Sequence, residues 1–197
     1  MKTKNTITFL IGASGSGKSR YAQKLAGKYD AFIIDADAIK LALNKQEPVC
    51  SDTNAALHPA ASELSQSLLF NYFYNQDDFL NRYNCNSVIF DNRGKNWDKV
   101  QTRITAAKSA GLHVRFVYVK NDLASCLYNV HRRNQTSKRK MFLKVCAQDF
   151  GGTVYTAEKL QALAATGYIE YQEVQGYNSI KSKFLQRLCN LIVKVIV

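Results

Sequence analysis

Proline is nearly absent. Pro48 and Pro59 are the only two in 197 residues, beside ten glycines. That scarcity argues against a fibrous or disordered chain. The five cysteines, at 50, 85, 126, 146 and 189, are scattered and odd in number. They form no C-x-x-C pair and no Cys/His cluster, which argues against a disulfide framework and a structural zinc site. Reduced thiols and a cytoplasmic setting are the simplest expectation. Long apolar runs are also missing. The terminal "LCNLIVKVIV" carries Lys194 and is too short to span a membrane. The apolar start "ITFLIGAS" runs directly into a glycine loop, so cleavage there would destroy a motif and a secretory signal is rejected. No internal repeat or low-complexity tract is visible.

Acids are scarce too: 15 against 27 Lys and Arg, a formal charge of +12. The excess is concentrated. Residues 99–144 hold eleven basic residues and one acid, Asp122, whereas residues 45–98 hold four basic residues and seven acids. A basic face attracts phosphate-rich partners such as nucleotides or nucleic acid, or is simply a solvated surface.

What is present is a substantial apolar fraction, 46%, enough for one domain over 1–197. Thr6–Ile11, "AFIIDAD", "NSVIFD", "HVRFVYV" and "YIEYQEV" read as five strands. Helices are expected at Lys18–Lys28, Ala38–Asn44, His58–Tyr83, Lys99–Ala110, Leu123–Arg133, up to Asp149, Ala157–Ala165 and Ile180–Val193. A loop is expected at Gln46–Asn54, and a break at Gly151-Gly152. The aromatics of "LLFNYFYNQDDFLNRY" read as core. Strands alternating with helices predict an α/β fold: a mostly parallel five-stranded sheet with helices on both faces.

The strongest motif is G-A-S-G-S-G-K-S, Gly12 to Ser19. Gly12, Gly15 and Gly17 let the backbone curl around an anion, with Ala13, Ser14 and Ser16 between them. The loop opens onto a helix N-terminus, where the dipole favours negative charge. In this P-loop (Walker A) pattern Lys18 reaches the β/γ-phosphates and Ser19 ligates Mg²⁺.

Two acids, Asp35 and Asp37, follow at the carboxyl end of the second strand, the edge where ligands bind in open α/β sheets. Either can accept a proton from an attacking hydroxyl, and either can cap the next helix. The position favours Asp37 as base. In "VIFD", Asp91 follows four strand residues, as in a Walker-B-type magnesium site, or else caps a loop. "HRRNQTSKRK" supplies Arg132, Arg133, Lys138, Arg139 and Lys140 after a helix. A basic lid over about 131–144 would stabilise transition-state charge and exclude water, with Arg133 and Arg139 the foremost candidates. His58, Ser62, Gln66 and Arg93 are candidate substrate contacts. The three histidines form no metal or triad pattern.

The ordered set G-A-S-G-S-G-K-S, D-A-D-A-I-K, H-P-A-A-S-E-L, V-I-F-D-N-R-G-K-N, A-G-L-H-V-R-F-V-Y-V and H-R-R-N resembles the zeta-toxin-like P-loop kinases and their relatives, the polynucleotide 5′-kinases. The resemblance runs from about Thr6 to Lys144. It implies an ATP·Mg²⁺-dependent kinase acting on a hydroxyl. Asp37 matches the general base, Lys18 and Ser19 the phosphate and magnesium residues, and Arg133 and Arg139 the lid arginines approximately. Arg132 is a further nucleotide contact. In the zeta-toxin-like enzymes the acceptor is a nucleotide-linked amino sugar; in the polynucleotide kinases it is a nucleic-acid 5′ hydroxyl. Where that family commonly shows an acid followed by Gly-Thr, this chain has Asp91-Asn92-Arg93, which changes the acceptor side. The expectation is therefore a kinase of a nucleotide-linked small molecule such as a nucleotide sugar. The alternatives are a kinase of nucleic-acid hydroxyls and a non-catalytic NTP-binding module. ATP versus GTP, the oligomeric state and an antitoxin-like partner are left open.

Overall fold

A computed structural model describes residues 6–45, 51–136 and 141–177. In chain order the elements are β1 Thr6–Ile11, α1 Lys18–Tyr29, β2 Ala31–Asp35, α2 Ala36–Leu43, α3 Ser51–Tyr74, α4 Gln76–Arg82, β3 Ser87–Asp91, α5 Trp97–Ser109, β4 His113–Lys120, α6 Leu123–Thr136, α7 Leu143–Ala165 and β5 Glu170–Gln175. The five strands form one sheet in the order β2-β3-β1-β4-β5. Every pairing is parallel.

Side chains alternate across β1. Ile7, Phe9 and Ile11 pack into a large core with Tyr72 and Phe73 of α3, Phe79 of α4, Ile104 of α5 and Leu160 of α7. Leu10 faces the other way, toward Ala22 of α1, with Ile89 and Val117. This period of two is what a strand covered on both faces requires. Phe9 and Phe116 are opposite one another in register and stack with centroids 4.8 Å apart. Of the aromatics of α3 and α4, Tyr72, Phe73 and Phe79 are core and Phe70 packs against them, as expected, whereas Tyr74 is exposed.

Three expectations are corrected. The loop over Gln46–Asn54 gives way at Ser51, where α3 already begins, so His58 and Pro59 lie inside the helix. The single helix over His58–Tyr83 is two, separated at Asn75. Most consequential, Gly151-Gly152 breaks nothing: α7 runs through both. A Cβ on Gly152 would meet the Lys95 carbonyl oxygen at 2.5 Å, whereas one on Gly151 would meet nothing within 4 Å. Gly152 therefore marks a close helix–loop approach rather than a stop. The expected helix Ile180–Val193 lies outside the described residues.

Gly152→Ala is expected to destabilise the fold by about 1–3 kcal/mol through overpacking. Gly151→Ala, in an open helical position, is expected to stabilise it by about 0.5–1 kcal/mol. Urea unfolding of the two variants checks this. Equal effects would remove the close-approach explanation.

Candidate active site

The central strand β1 ends at Ile11 and delivers the loop Gly12–Gly17 onto α1. Gly15 and Gly17 have φ of 84° and 95°, left-handed values that glycine adopts without strain. A side chain on Gly15 would fall on the Cys126 carbonyl oxygen. The N-cap of α1 is Gly17 and carries no side-chain cap. By contrast, Asp35 caps α2 and Asn96 caps α5. The first amides of α1 are thus left to an anion.

The loop carbonyls are held from outside. Ser16 N–H donates to Ala13 O at 3.1 Å, Tyr177 N–H to Ser16 O at 2.9 Å. The Cys146 thiol donates to Ser14 O at 3.2 Å. Asn129 Nδ2 donates to Gly15 O at 2.8 Å. Gly12 N–H donates to Arg93 O at 3.3 Å, tying the loop to the segment after β3. Burial pushes the Cys146 thiol up to about 11 and raises Cys126 as well. Both stay protonated, so Cys146 keeps the hydrogen that it donates.

Two cavities meet at this loop. One, of about 520 Å³, is lined by Ala13, Ser14, Gly15, Gly17, Lys18 and Ser19, and further out by Arg20, Asn129, Arg132, Arg133 and Tyr177. Arg20 lies over the Tyr177 ring, 4.9 Å from its centroid. The other, of about 210 Å³ as bounded by the described residues, is lined by Asp35, Lys40, His58, Ser62, Asp91, Lys99 and Arg103 among others. Lys18, Ser19, Asp37 and Arg93 line both.

Asp35 and Asp37 differ in their local bonds. Asp35 Oδ1 accepts the Asp37 amide at 2.9 Å, a helix cap. The Asp37 carboxylate accepts Lys40 Nζ at 2.9 Å and faces the cavities. Lys40 is itself buried. Lys18 Nζ lies 3.1 Å from Asp91 Oδ1, an ion pair rather than an aligned hydrogen bond. Arg93 and Lys95 both pair with the buried Asp149 of α7, Lys95 at 2.8 Å. Partial burial lowers the His58 pKa, and Lys40 and Arg93 lower it further, so its imidazole is neutral near pH 7.

Of the residues expected from sequence, Gly12 and Ser16 shape the loop without lining either cavity. Gln66 is not brought in; its amide lies against the Ser62 carbonyl, and Ser65 lines the cavity instead. Arg132 and Arg133 sit on α6, as the expected helix Leu123–Arg133 has them; that helix runs on to Thr136, so residues 131–136 are not part of a loop-like lid. Lys138, Arg139 and Lys140 lie outside the described residues. Sequence reading missed Lys40, Lys95, Lys99, Arg103, Asn129, Cys146, Asp149 and Tyr177. Only Lys40 carried a local signal, three residues after Asp37 on one helix face.

The donor set suits Mg²⁺. The Ser19 hydroxyl and Asp91 carboxylate are hard oxygen ligands. Among the described residues no group of three or more His, Cys, Asp or Glu could hold a metal. Magnesium beside a nucleotide needs only one or two protein oxygens, the phosphates supplying others.

A family model described as AAA domain matches residues 7–148. The chain belongs to the AAA-domain family. The match spans the P-loop, Gly12 to Ser19, and nearly all of the stretch from Thr6 to Lys144 that resembles the zeta-toxin-like kinases. Among solved structures the fold is similar to one from the PezAT chromosomal toxin-antitoxin system of Streptococcus pneumoniae, at 15% identity and TM-score 0.60, covering 96% of this chain and 85% of that one. It is also similar to the AvrRxo1-ORF1:-ORF2 complex, at 18% identity and TM-score 0.64, covering 88% of this chain and 56% of that one. The AvrRxo1-ORF1:-ORF2 structure with ATP aligns at 19% identity and TM-score 0.57, over 80% and 51%. These likenesses show the fold, an α/β domain with a parallel five-stranded sheet. A comparison with curated proteins returned no match. Among the described residues no helix is long and apolar enough to cross a membrane.

Replacing Cys146 by alanine removes one loop-carbonyl donor. ATP affinity is expected to fall about three- to tenfold, from a net hydrogen-bond contribution near 1 kcal/mol, and Cys146→Ser to lose less. Calorimetric ATP titration checks this; an unchanged Cys146→Ala affinity would count against the carbonyl-tether account.

Proposed function

We propose that the chain is a kinase that transfers the γ-phosphate of ATP to a hydroxyl of an acceptor bound beside Asp37. The observation that carries this is the sharing of Lys18, Ser19, Asp37 and Arg93 by two adjoining cavities. One cavity has the phosphate loop; the other has a carboxylate and a set of cations. A non-catalytic nucleotide module needs no second cavity with an acid at the junction. The structure of a similar fold with ATP supports ATP as donor.

In this reading the acceptor hydroxyl gives its proton to the Asp37 carboxylate as its oxygen attacks the γ-phosphorus. The bond from phosphorus to the β–γ bridging oxygen breaks, and ADP leaves. Lys40 orients the Asp37 carboxylate. Lys18 and Arg93 neutralise charge on the transferring group, and Arg132 and Arg133 do so from the end of α6. Mg²⁺, when bound, neutralises phosphate charge, with Ser19 and Asp91 as its protein ligands.

As bounded by the described residues, the cavity beside Asp37 has about 210 Å³, the scale of a small acceptor. Among the described residues, much of the basic excess is also engaged within the fold. Arg115 pairs with Glu170 and Lys120 with Glu173, while Lys108 lies over Tyr168. Lys99, Arg103, Arg132 and Arg133 line the cavities. A nucleotide-linked small molecule therefore fits better than a polynucleotide end. We read the chain as one kinase domain acting in the cytoplasm. The PezAT system supports looking for an antitoxin-like protein partner.

The test uses γ-labelled ATP and Mg²⁺ with nucleotide sugars, sugar phosphates and hydroxyl-ended oligonucleotides. Asp37→Asn is expected to lower kcat about a hundredfold or more while ATP still binds. Lys18→Ala is expected to lose ATP affinity. Transfer that survives Asp37→Asn unchanged sinks the base assignment; ATP binding without transfer to any acceptor restores the non-catalytic module.

A further inference from the structure

Six cations line the smaller cavity: Lys18, Lys40, Arg93, Lys95, Lys99 and Arg103. Four of them are matched by carboxylates. Lys18 pairs with Asp91, Lys40 with Asp37, and Arg93 and Lys95 with Asp149. For Lys99 and Arg103 no carboxylate lies within ion-pair reach among the described residues. These two stand one turn apart on α5, so their side chains share a face.

Arg103 is the more telling of the pair. Its guanidinium lies over the Phe90 ring, 5.0 Å from the centroid. Phe90 is buried and directly precedes Asp91. The stem is thereby fixed against the sheet, and the head is half-buried rather than free in water. Burial lowers its pKa, and among the described residues no carboxylate acts to raise it. A guanidinium held this way without a counter-charge is unfavourable unless something supplies one. Its planar fork suits a carboxylate or phosphate.

We propose that Lys99 and Arg103 form an anion subsite in the acceptor cavity, so that the acceptor is a small hydroxyl compound bearing a phosphate or carboxylate group. The word acceptor rests on the kinase reading above; the subsite does not. Phosphate and carboxylate share the recognising chemistry. The anion would anchor one end of the molecule at α5 and leave a hydroxyl to approach Asp37. The matched cations differ in kind: each already has a protein carboxylate, and Lys18 and Arg93 face the phosphate loop as well.

The experiment fills the phosphate loop first, with a non-hydrolysable ATP analogue and Mg²⁺, so that the γ-phosphate position cannot take the probe. Inorganic phosphate and malonate are then titrated separately by calorimetry at constant ionic strength. The nucleotide-filled wild type is expected to bind at least one of them. Lys99→Gln and Arg103→Met are each expected to weaken that binding about tenfold, the loss of one charge-assisted contact. Lys99 is exposed, so its variant should fold normally; methionine at 103 keeps an unbranched stem on Phe90. A preference for phosphate or for malonate tells which group the acceptor carries. No binding of either anion to the nucleotide-filled protein overturns the subsite, and so does binding that neither variant weakens. Anion binding that depends on both residues, in a protein that phosphorylates no acceptor, leaves the subsite standing and removes the kinase reading.

Discussion

A phosphate cradle needs its amides turned inward, and here that orientation depends on carbonyls held from behind. Four successive carbonyls, Ala13 to Ser16, each accept a hydrogen bond, and three of the donors come from outside the loop. Asn129 belongs to α6, Cys146 to α7, and Tyr177 follows β5. A peptide plane with its oxygen tethered outward presents its N–H to the other side. The glycines make the curve possible; the tethers choose its handedness toward an anion. The sheet order puts β1 between β3 and β4, so the loop meets donors from one flank and Arg93 from the other.

This dependence explains how much of the molecule was legible in advance. Strands announced themselves by local alternation, and the loop by glycine spacing next to Lys18 and Ser19. Asp35 and Asp37 were found because their setting, a strand end before a helix, is local. The tethers were not, because Asn129 and Cys146 reach Gly15 and Ser14 across 114 and 132 positions. Nothing in an isolated cysteine says that burial will keep its proton for a carbonyl. Gly152 misled for a related reason. Glycine lowers helix propensity locally, but the price is accepted where a backbone must approach Lys95 closely.

Net charge was legible while its use was not. A +10 window invites a nucleic-acid surface, and composition alone does not separate that from a lined pocket. Folding divides it. Residues on β4 meet the acids of β5, while residues on α5 and α6 face the two cavities. The same side chains on an outer helix face would have tracked a polyanion. Which face of α5 turns inward is set by Val100, Ile104 and Ala107, whose apolar stripe packs on the sheet. Lys99 and Arg103 border that stripe, so apolar patterning places charge at the cavity wall.

The junction between the cavities is where these constraints meet. Arg93 is pulled toward α7 by Asp149, and its carbonyl takes both the Gly12 amide and the Thr153 hydroxyl. Hence α7, the segment after β3 and the phosphate loop are one connected unit. A shift of α7 would change the guanidinium that faces both cavities and the thiol that fixes Ser14 at once. Asp37 is positioned by a separate device, the Asp35 cap and the Lys40 pair on α2. In the proposed kinase reading, the phosphate loop and Asp37 are thus held by different elements and meet only in the shared space. An acceptor that bridges Asp37 to α5 would couple the two, which makes a correctly placed anion on that acceptor a condition for aligned transfer rather than an added affinity contact.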